Sequence, residues 1–256
     1  MSANYPRHLG AAFADAEVAR SYRYRQPYPP ETFDVLAELI VEPRVVLDVG
    51  SGTGALTGAL VRMARRVDAL DPSEAMIHEA RRELGKDARI RWIVGRAEDA
   101  PLDPPYGLIT AGASIHWMDP EIVMPRFGNA LAPGGRLAIV DTNSEYPRDA
   151  SWRSDFIAVI QRYSPVHHDD LPAFLKWLEA SGHFAREGER MTAPVPYEQS
   201  VDDYMTALAS TSSLSRVTLG DRADGFAREA RSVLARHGVS RINAVLVGSI
   251  VWGRPR

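Results

Sequence analysis

The stretch that decides the fold runs from Val45 to Thr57, VVLDVGSGTGALT. An apolar run carries one acid, Asp48. Glycines follow at positions 50, 52 and 54, and a helical stripe takes over through Leu56, Leu60 and Met63. An apolar run, a glycine-rich turn and an amphipathic stripe are the parts of a buried strand feeding a helix. Glycines at that junction let a ligand approach the backbone closely.

Outward from this stretch the same rhythm repeats. VDALD (67–71), IRWIVG (90–95), GLITAGAS (107–114) and RLAIVD (136–141) read as further strands. Between them Ser73 reads as the N-cap of a helix closed by Gly85, and another helix runs from Asp119 to Leu131. A helical stripe over Glu31–Val41 precedes the first strand. Strands alternating with helices at this spacing predict a doubly wound, Rossmann-like α/β fold with a mostly parallel sheet. From Ser144 the rhythm changes. Stripes around Trp152–Tyr163, Phe174–Leu178, Val201–Ala209 and Ala223–His237 predict a mostly helical insertion over 144–240, and AVLVGSIVWGR predicts a final strand within 241–256. Residues 1–30, rich in aromatics, arginine and proline, read as a lid. The 256 residues then form one domain, with 31–143 as the cofactor-binding core.

Hydrophobic residues make up 45% and charged residues 25%, ordinary for a globular chain. A net charge of −3 gives no basic field to draw nucleic acid or anionic lipid, so the expected partner is a small molecule. The absence of cysteine excludes disulfides, thiolate metal sites and a cysteine nucleophile. The N-terminal MSANYPRHLG lacks a signal-peptide layout, and no apolar run approaches the roughly 20 residues that span a bilayer. The expectation is a cytoplasmic protein off the membrane; oligomeric state is not legible.

The glycine loop admits three ligands. A nucleoside triphosphate needs Gly-Lys-Ser/Thr, whereas this loop closes Thr53-Gly54-Ala55. A dinucleotide is a closer competitor. Gly50, Gly52 and Ala55 satisfy the relaxed fingerprint, and Asp71 ends the second strand where a ribose-binding acid belongs, leaving an NAD(P)-dependent oxidoreductase as the alternative enzyme. Gly54 makes the spacing G-x-G-x-G, however, and Asp48 is an awkward neighbour for a pyrophosphate. An acid there suits a ligand carrying an ammonium or sulfonium group.

LDVGSGTG followed by LDPSEAM, GRAEDAPL, IHWMDP and LAPGGRLAI resembles, in that order, the class I S-adenosylmethionine-dependent methyltransferases over residues 20–145. IHWMDP and the upstream YRYRQPYP look most like the type-11 group near the trans-aconitate methyltransferases. The resemblance implies S-adenosylmethionine as cofactor. Gly50, Ser51, Gly52, Thr53 and Gly54 would bed its methionine portion, with Asp48 close by, and Asp71 would take the ribose hydroxyls. Pro72, Met76, Ala97 and Glu98 would surround the adenine, and Ala113 would lie at the end of the fourth strand against the cofactor.

Methyl transfer is an in-line displacement in which the protein aligns the acceptor and excludes water. His116, just beyond the fourth strand, is the leading candidate base. Substrate contact and structural packing are its competing roles. Ser114 and Trp117 are expected to face the acceptor. Tyr22, Arg25 and Tyr28 of the lid would contact it too, an arginine gripping a carboxylate with two prongs. His167-His168-Asp169-Asp170 suggests metal, but adjacent residues seldom face one ion, so no metal is expected. ASTSSLS (209–215) reads equally as a hydroxyl-rich pocket wall or a loop. The resulting expectation is O-methylation of a small acidic or phenolic metabolite, with a non-catalytic cofactor-binding protein as the rival outside enzymes.

Overall fold

The computed structural model describes residues 7–148, 150–164 and 171–256. A 3-10 segment (7–14), α1 (Ala16–Ser21) and a 3-10 turn (Tyr22–Tyr24) lead into α2 (Pro30–Leu39). The alternation then unfolds as β1 (Val45–Val49), α3 (Thr57–Met63), β2 (Arg66–Asp71), α4 (Glu74–Leu84), β3 (Ile90–Val94), β4 (Tyr106–Gly112), α5 (Pro120–Ala130) and β5 (Leu131–Glu145). Local chemistry sets the boundaries. Ser73 accepts the Met76 N–H to start α4, which ends at Gly85 with φ of 70°. Asp119 caps α5 by accepting the Glu121 N–H.

Strand order is β3-β2-β1-β4-β5-β8-β6, with β1 to β5 mutually parallel, β8 (Arg241–Pro255) antiparallel to β5 and β6 (Phe184–Met191) at the far edge. Strand order reverses between β1 and β4, so a crevice opens beyond the carboxyl ends of those strands. One face is covered by α5 and α7 (Leu171–Ala180) through Phe127, Phe174 and Leu178, the other by α2 and α3 through Leu36 and Leu60.

Residues 144–240 depart from the expected run of helices. After α6 (Arg153–Tyr163) and α7 come two strands, β6 (Phe184–Met191) and β7 (Val195–Ser200). Both pair antiparallel with the 15-residue β8, β6 along its C-terminal half and β7 along its N-terminal half. An edge strand needs no apolar run: in β6, Arg186 pairs with Glu179 and Glu189 at the surface. In β7, Pro196 is tolerated for the same reason. Only α6, α8 (Val201–Ala209), α9 (Arg216–Leu219) and α10 (Ala223–Arg236) form a helical cap, with its own core of Trp152, Phe156, Tyr204, Leu219 and Phe226.

Residues 7–24 are docked rather than loose. Val18 and Ala19 pack on Met76 of α4, and the Ser73 hydroxyl donates to the Phe13 carbonyl at 2.7 Å. No helix among the described residues is long and apolar enough to cross a membrane.

Candidate active site

The loop after β1 is built from backbone hydrogen bonds. The Gly50 and Ser51 N–H groups both donate to the Leu70 carbonyl of β2, at 2.8 and 3.0 Å. Gly50, Gly52 and Gly54 all take positive φ, of 64°, 54° and 85°. Their reasons for being glycine differ. A Cβ on Gly54 would meet Leu84 Cδ1 at 2.8 Å, so its bareness serves packing of the loop on α4. A Cβ on Gly52 would find only Tyr22 at 3.8 Å, so this glycine lies open toward the crevice.

Asp71 ties the end of β2 to that loop. One carboxylate oxygen accepts the Gly52 N–H and the other the Ser73 N–H, each at 2.8 Å. Burial raises its pKa, and the two N–H bonds oppose that rise. Asp48, 1% exposed, accepts the Thr57 and Thr110 hydroxyls at 2.6 and 2.9 Å. Burial outweighs these bonds and pushes its carboxyl up to about 6.

Two cavities meet over the loop, and Tyr22, Gly50, Gly52, Gly112 and Ala113 line both. The smaller, about 540 Å³, is walled by Asp71, Pro72, Met76, Ala97, Glu98 and Trp117. The larger, about 690 Å³, takes Asp48, Ser51, Thr53 and Gly54 together with the lid residues Arg25 and Tyr28. Its far wall comes from Asp141, Thr142, Tyr146, Gln199, Tyr204 and Thr211. At the junction Ala113 is a non-glycine residue at φ of 47°, a strained conformation of the kind that clusters at functional sites. All twelve expected cofactor-binding residues line one cavity or both.

The expected acceptor residues fare differently. Ser114 and Trp117 line the smaller cavity instead. The Ser114 hydroxyl donates to the Val49 carbonyl at 2.7 Å, and the Trp117 ring stands edge-on to Phe13, 5.5 Å between centroids. The 3-10 turn Ile115–Trp117 swings both toward β1 and the N-terminal segment. His116 is not among the residues lining either cavity; its ring lies against Trp117, with centroids 4.9 Å apart.

Arg25 does line the larger cavity, but its fork is already engaged. Nε and Nη2 donate to the Ser210 hydroxyl and carbonyl at 2.9 and 2.8 Å, and the guanidinium lies 4.1 Å over the Tyr22 ring. The two-pronged grip joins the lid to the end of α8. Gln199 reinforces it by donating to the Tyr24 carbonyl at 2.6 Å, and Ser144 by donating to Gln26 Oε1 at 2.7 Å. ASTSSLS is thereby a pocket wall and a latch: Thr211 lines the cavity and Ser210 holds the lid. Glu98 Oε1 accepts the Asp119 N–H at 3.0 Å, so it also supports the start of α5.

Sequence reasoning missed Asp141, Tyr146, Gln199 and Tyr204. Only Asp141 carried a signal, as the last residue of an expected parallel strand, where ligands bind in such sheets. The His167–Asp170 cluster lies outside the described residues. Among the described residues no group of three or more His, Asp or Glu is placed to hold a metal ion.

Residues 46–135 match the methyltransferase domain family. An uncharacterized methyltransferase of Mycobacterium tuberculosis is 37% identical over 135 residues, 52% of this chain and 53% of that protein. A trans-aconitate 2-methyltransferase of Methylobacterium nodulans is 34% identical over 143 residues, 52% of this chain and 53% of that protein. The chain spans about half the length of these curated relatives. Among solved structures, one assigned as a type II methyltransferase from Anaeromyxobacter dehalogenans is similar with a TM-score of 0.65 and 24% identity, covering 91% of this chain and 99% of that one. That likeness establishes the Rossmann-like fold.

Proposed function

We propose that this chain, with a methyltransferase domain match over residues 46–135, is an S-adenosylmethionine-dependent methyltransferase that methylates an oxygen of a small phenolic molecule. The observation that carries the reading is the pair of cavities meeting at Ala113 and the glycine loop, one fitted to a nucleoside and the other to its tail and an acceptor. The residues fit the cofactor. Each Asp71 oxygen takes one backbone N–H and keeps a lone pair for a ribose hydroxyl. Met76 and Ala97 offer apolar walls for an adenine, and the buried Ser51 hydroxyl has no partner of its own. Bound there, the cofactor supplies a methyl group on positively charged sulfur.

The chain's own part is alignment and exclusion of water. Tyr22 lines both cavities, and the bonds from Ser144, Gln199 and Arg25 hold segment 22–26 across the site. A phenolic acceptor is favoured over an acidic one by the walls it would meet. Tyr28, Tyr146, Tyr204 and Leu208 offer aromatic and apolar contact to a ring; Arg25 is committed to Ser210, Asp48 and Asp141 would repel a carboxylate, and Arg23 and Arg62 are the other charged groups of this wall.

The test is calorimetry with S-adenosylhomocysteine and with NAD, followed by mass-spectrometric detection of S-adenosylhomocysteine formed with panels of phenols and of carboxylic acids. Micromolar NAD binding without binding of the sulfur nucleoside overturns the class of enzyme. Turnover confined to carboxylic acids overturns the acceptor.

A further inference from the structure

Two walls of different chemistry line the larger cavity. The first carries Gly58, Ala59 and Arg62 of α3 with Glu83 and Leu84 of α4, and Leu84 fills the space beside Gly54 and Gly58. Arg23 belongs to it, donating to the Tyr24 hydroxyl at 3.0 Å within electrostatic reach of Glu83. The second wall carries Asp141 and Thr142 of β5, Tyr146, Gln199 of β7, and Tyr204 and Leu208 of α8.

This second wall is rich in groups that accept hydrogen bonds. One Asp141 oxygen takes the Thr142 N–H at 2.8 Å, and among the described residues the other has no partner. Gln199 uses its Nε2 on the Tyr24 carbonyl, which leaves Oε1 to accept. The Thr142 hydroxyl is buried without a partner. Around these groups lie flat and apolar surfaces. The Tyr146 and Tyr204 hydroxyls are hydrogen-bonded to each other, and Arg153, which lines neither cavity, stacks 3.8 Å over the Tyr146 ring. Acceptors with no donor favour a ligand that brings its own O–H groups. A cavity of about 690 Å³ falls in the range that encloses drug-sized ligands, more than a single ring fills.

Resting on the methyltransferase reading, we infer that the acceptor is a flat phenol of two or more rings with a second hydroxyl: its rings pack on Tyr146, Tyr204 and Leu208, and the hydroxyl that is not methylated donates to Asp141. The carboxylate then selects neutral hydroxyl donors and rejects anions. Leu208, on the same wall, sets the room for the second ring.

The experiment measures kcat/KM of the full chain, by S-adenosylhomocysteine formed, on phenol, resorcinol, naphthol and a series of dihydroxynaphthalenes. A dihydroxynaphthalene should be the best of these. Asp141→Asn should lower kcat/KM on that diol by about tenfold, the difference between hydrogen bonds to a charged and to a neutral acceptor, and leave naphthol within a few-fold. Leu208→Trp should lower kcat/KM on the naphthalenes by roughly tenfold or more through crowding, while phenol stays within a few-fold. Calorimetry should show S-adenosylhomocysteine affinity unchanged within a few-fold in both variants, because neither residue lines the smaller cavity. A wild type that methylates phenol no less efficiently than every dihydroxynaphthalene overturns the inference, whether or not either variant folds. Equal losses on naphthol and its diols in Asp141→Asn overturn it too. A wild type that binds no S-adenosylhomocysteine overturns the methyltransferase reading itself, and one that binds it but methylates no phenol overturns the phenolic acceptor.

Discussion

Replacing Asp48 by asparagine tests the electrostatics of the buried acid at the glycine loop. The carboxyl is 1% exposed, and its pKa is raised from 3.8 to about 6 because burial disfavours the charged form. Between those values the native state binds more protons than the unfolded chain, so this group makes stability fall as pH rises. The shift from 3.8 to about 6 is a difference of roughly 2 pKa units, which at about 1.4 kcal/mol per unit amounts to about 3 kcal/mol over the whole window. About half of that change falls above pH 5. Asp48→Asn removes the titration and retains an oxygen for one of the two threonine hydroxyls, so the lost hydrogen bond is a constant offset independent of pH. Urea unfolding of both proteins at several pH values from 5 to 7.5 should show the variant gaining about 1.5 kcal/mol on the wild type as pH rises. Parallel pH dependences would refute the reasoning, because they would mean that Asp48 titrates as it does in the unfolded chain.

The remaining predictions concern single contacts. Asp71→Ala should weaken S-adenosylhomocysteine binding by about 10²-fold or more, since two charge-assisted hydrogen bonds at roughly 1.5–3 kcal/mol each are lost; calorimetry showing unchanged affinity would place the ribose elsewhere. His116→Ala should leave turnover within a few-fold of wild type, because His116 lines neither cavity; a loss of about 10²-fold or more would restore it as the base. Gly54→Ala should lower stability by about 1–3 kcal/mol through its φ of 85° and the 2.8 Å clash with Leu84, as read from thermal or urea unfolding. Arg25→Ala should free the lid from Ser210; limited proteolysis within residues 15–30 is expected to accelerate while the melting temperature moves little, and an unchanged cleavage pattern would show that other contacts hold the segment.

The parallel half of the fold was legible in the sequence because its signals are local. A strand buried on both faces must be apolar along its length, as VVLDV and YGLITAG are, and the crevice then follows from strand order. The glycine loop and Asp71 were legible for the same reason: a turn that takes positive φ at positions 50, 52 and 54 demands glycines at fixed spacing, and a carboxylate at the end of the next strand is one residue in a known place. What the sequence could not assign depends on partners far along the chain. Arg25 has the chemistry to grip a carboxylate, and only the fold decides that Ser210, 185 residues away, fills its fork. His116 and Trp117 are neighbours in sequence, yet one tight turn sends Trp117 to the smaller cavity and leaves His116 outside both. The surface strand β6 carries no apolar run, so its place in the sheet exists only through pairing with β8. Asp141 and Tyr204 acquire a shared cavity when β8 seats against β5 and β7 against β8, bringing α8 over the end of the sheet. Periodicity and spacing record what a residue must do for its own element; which side chains face one another across a cavity is settled by contacts between elements, and no local pattern encodes those.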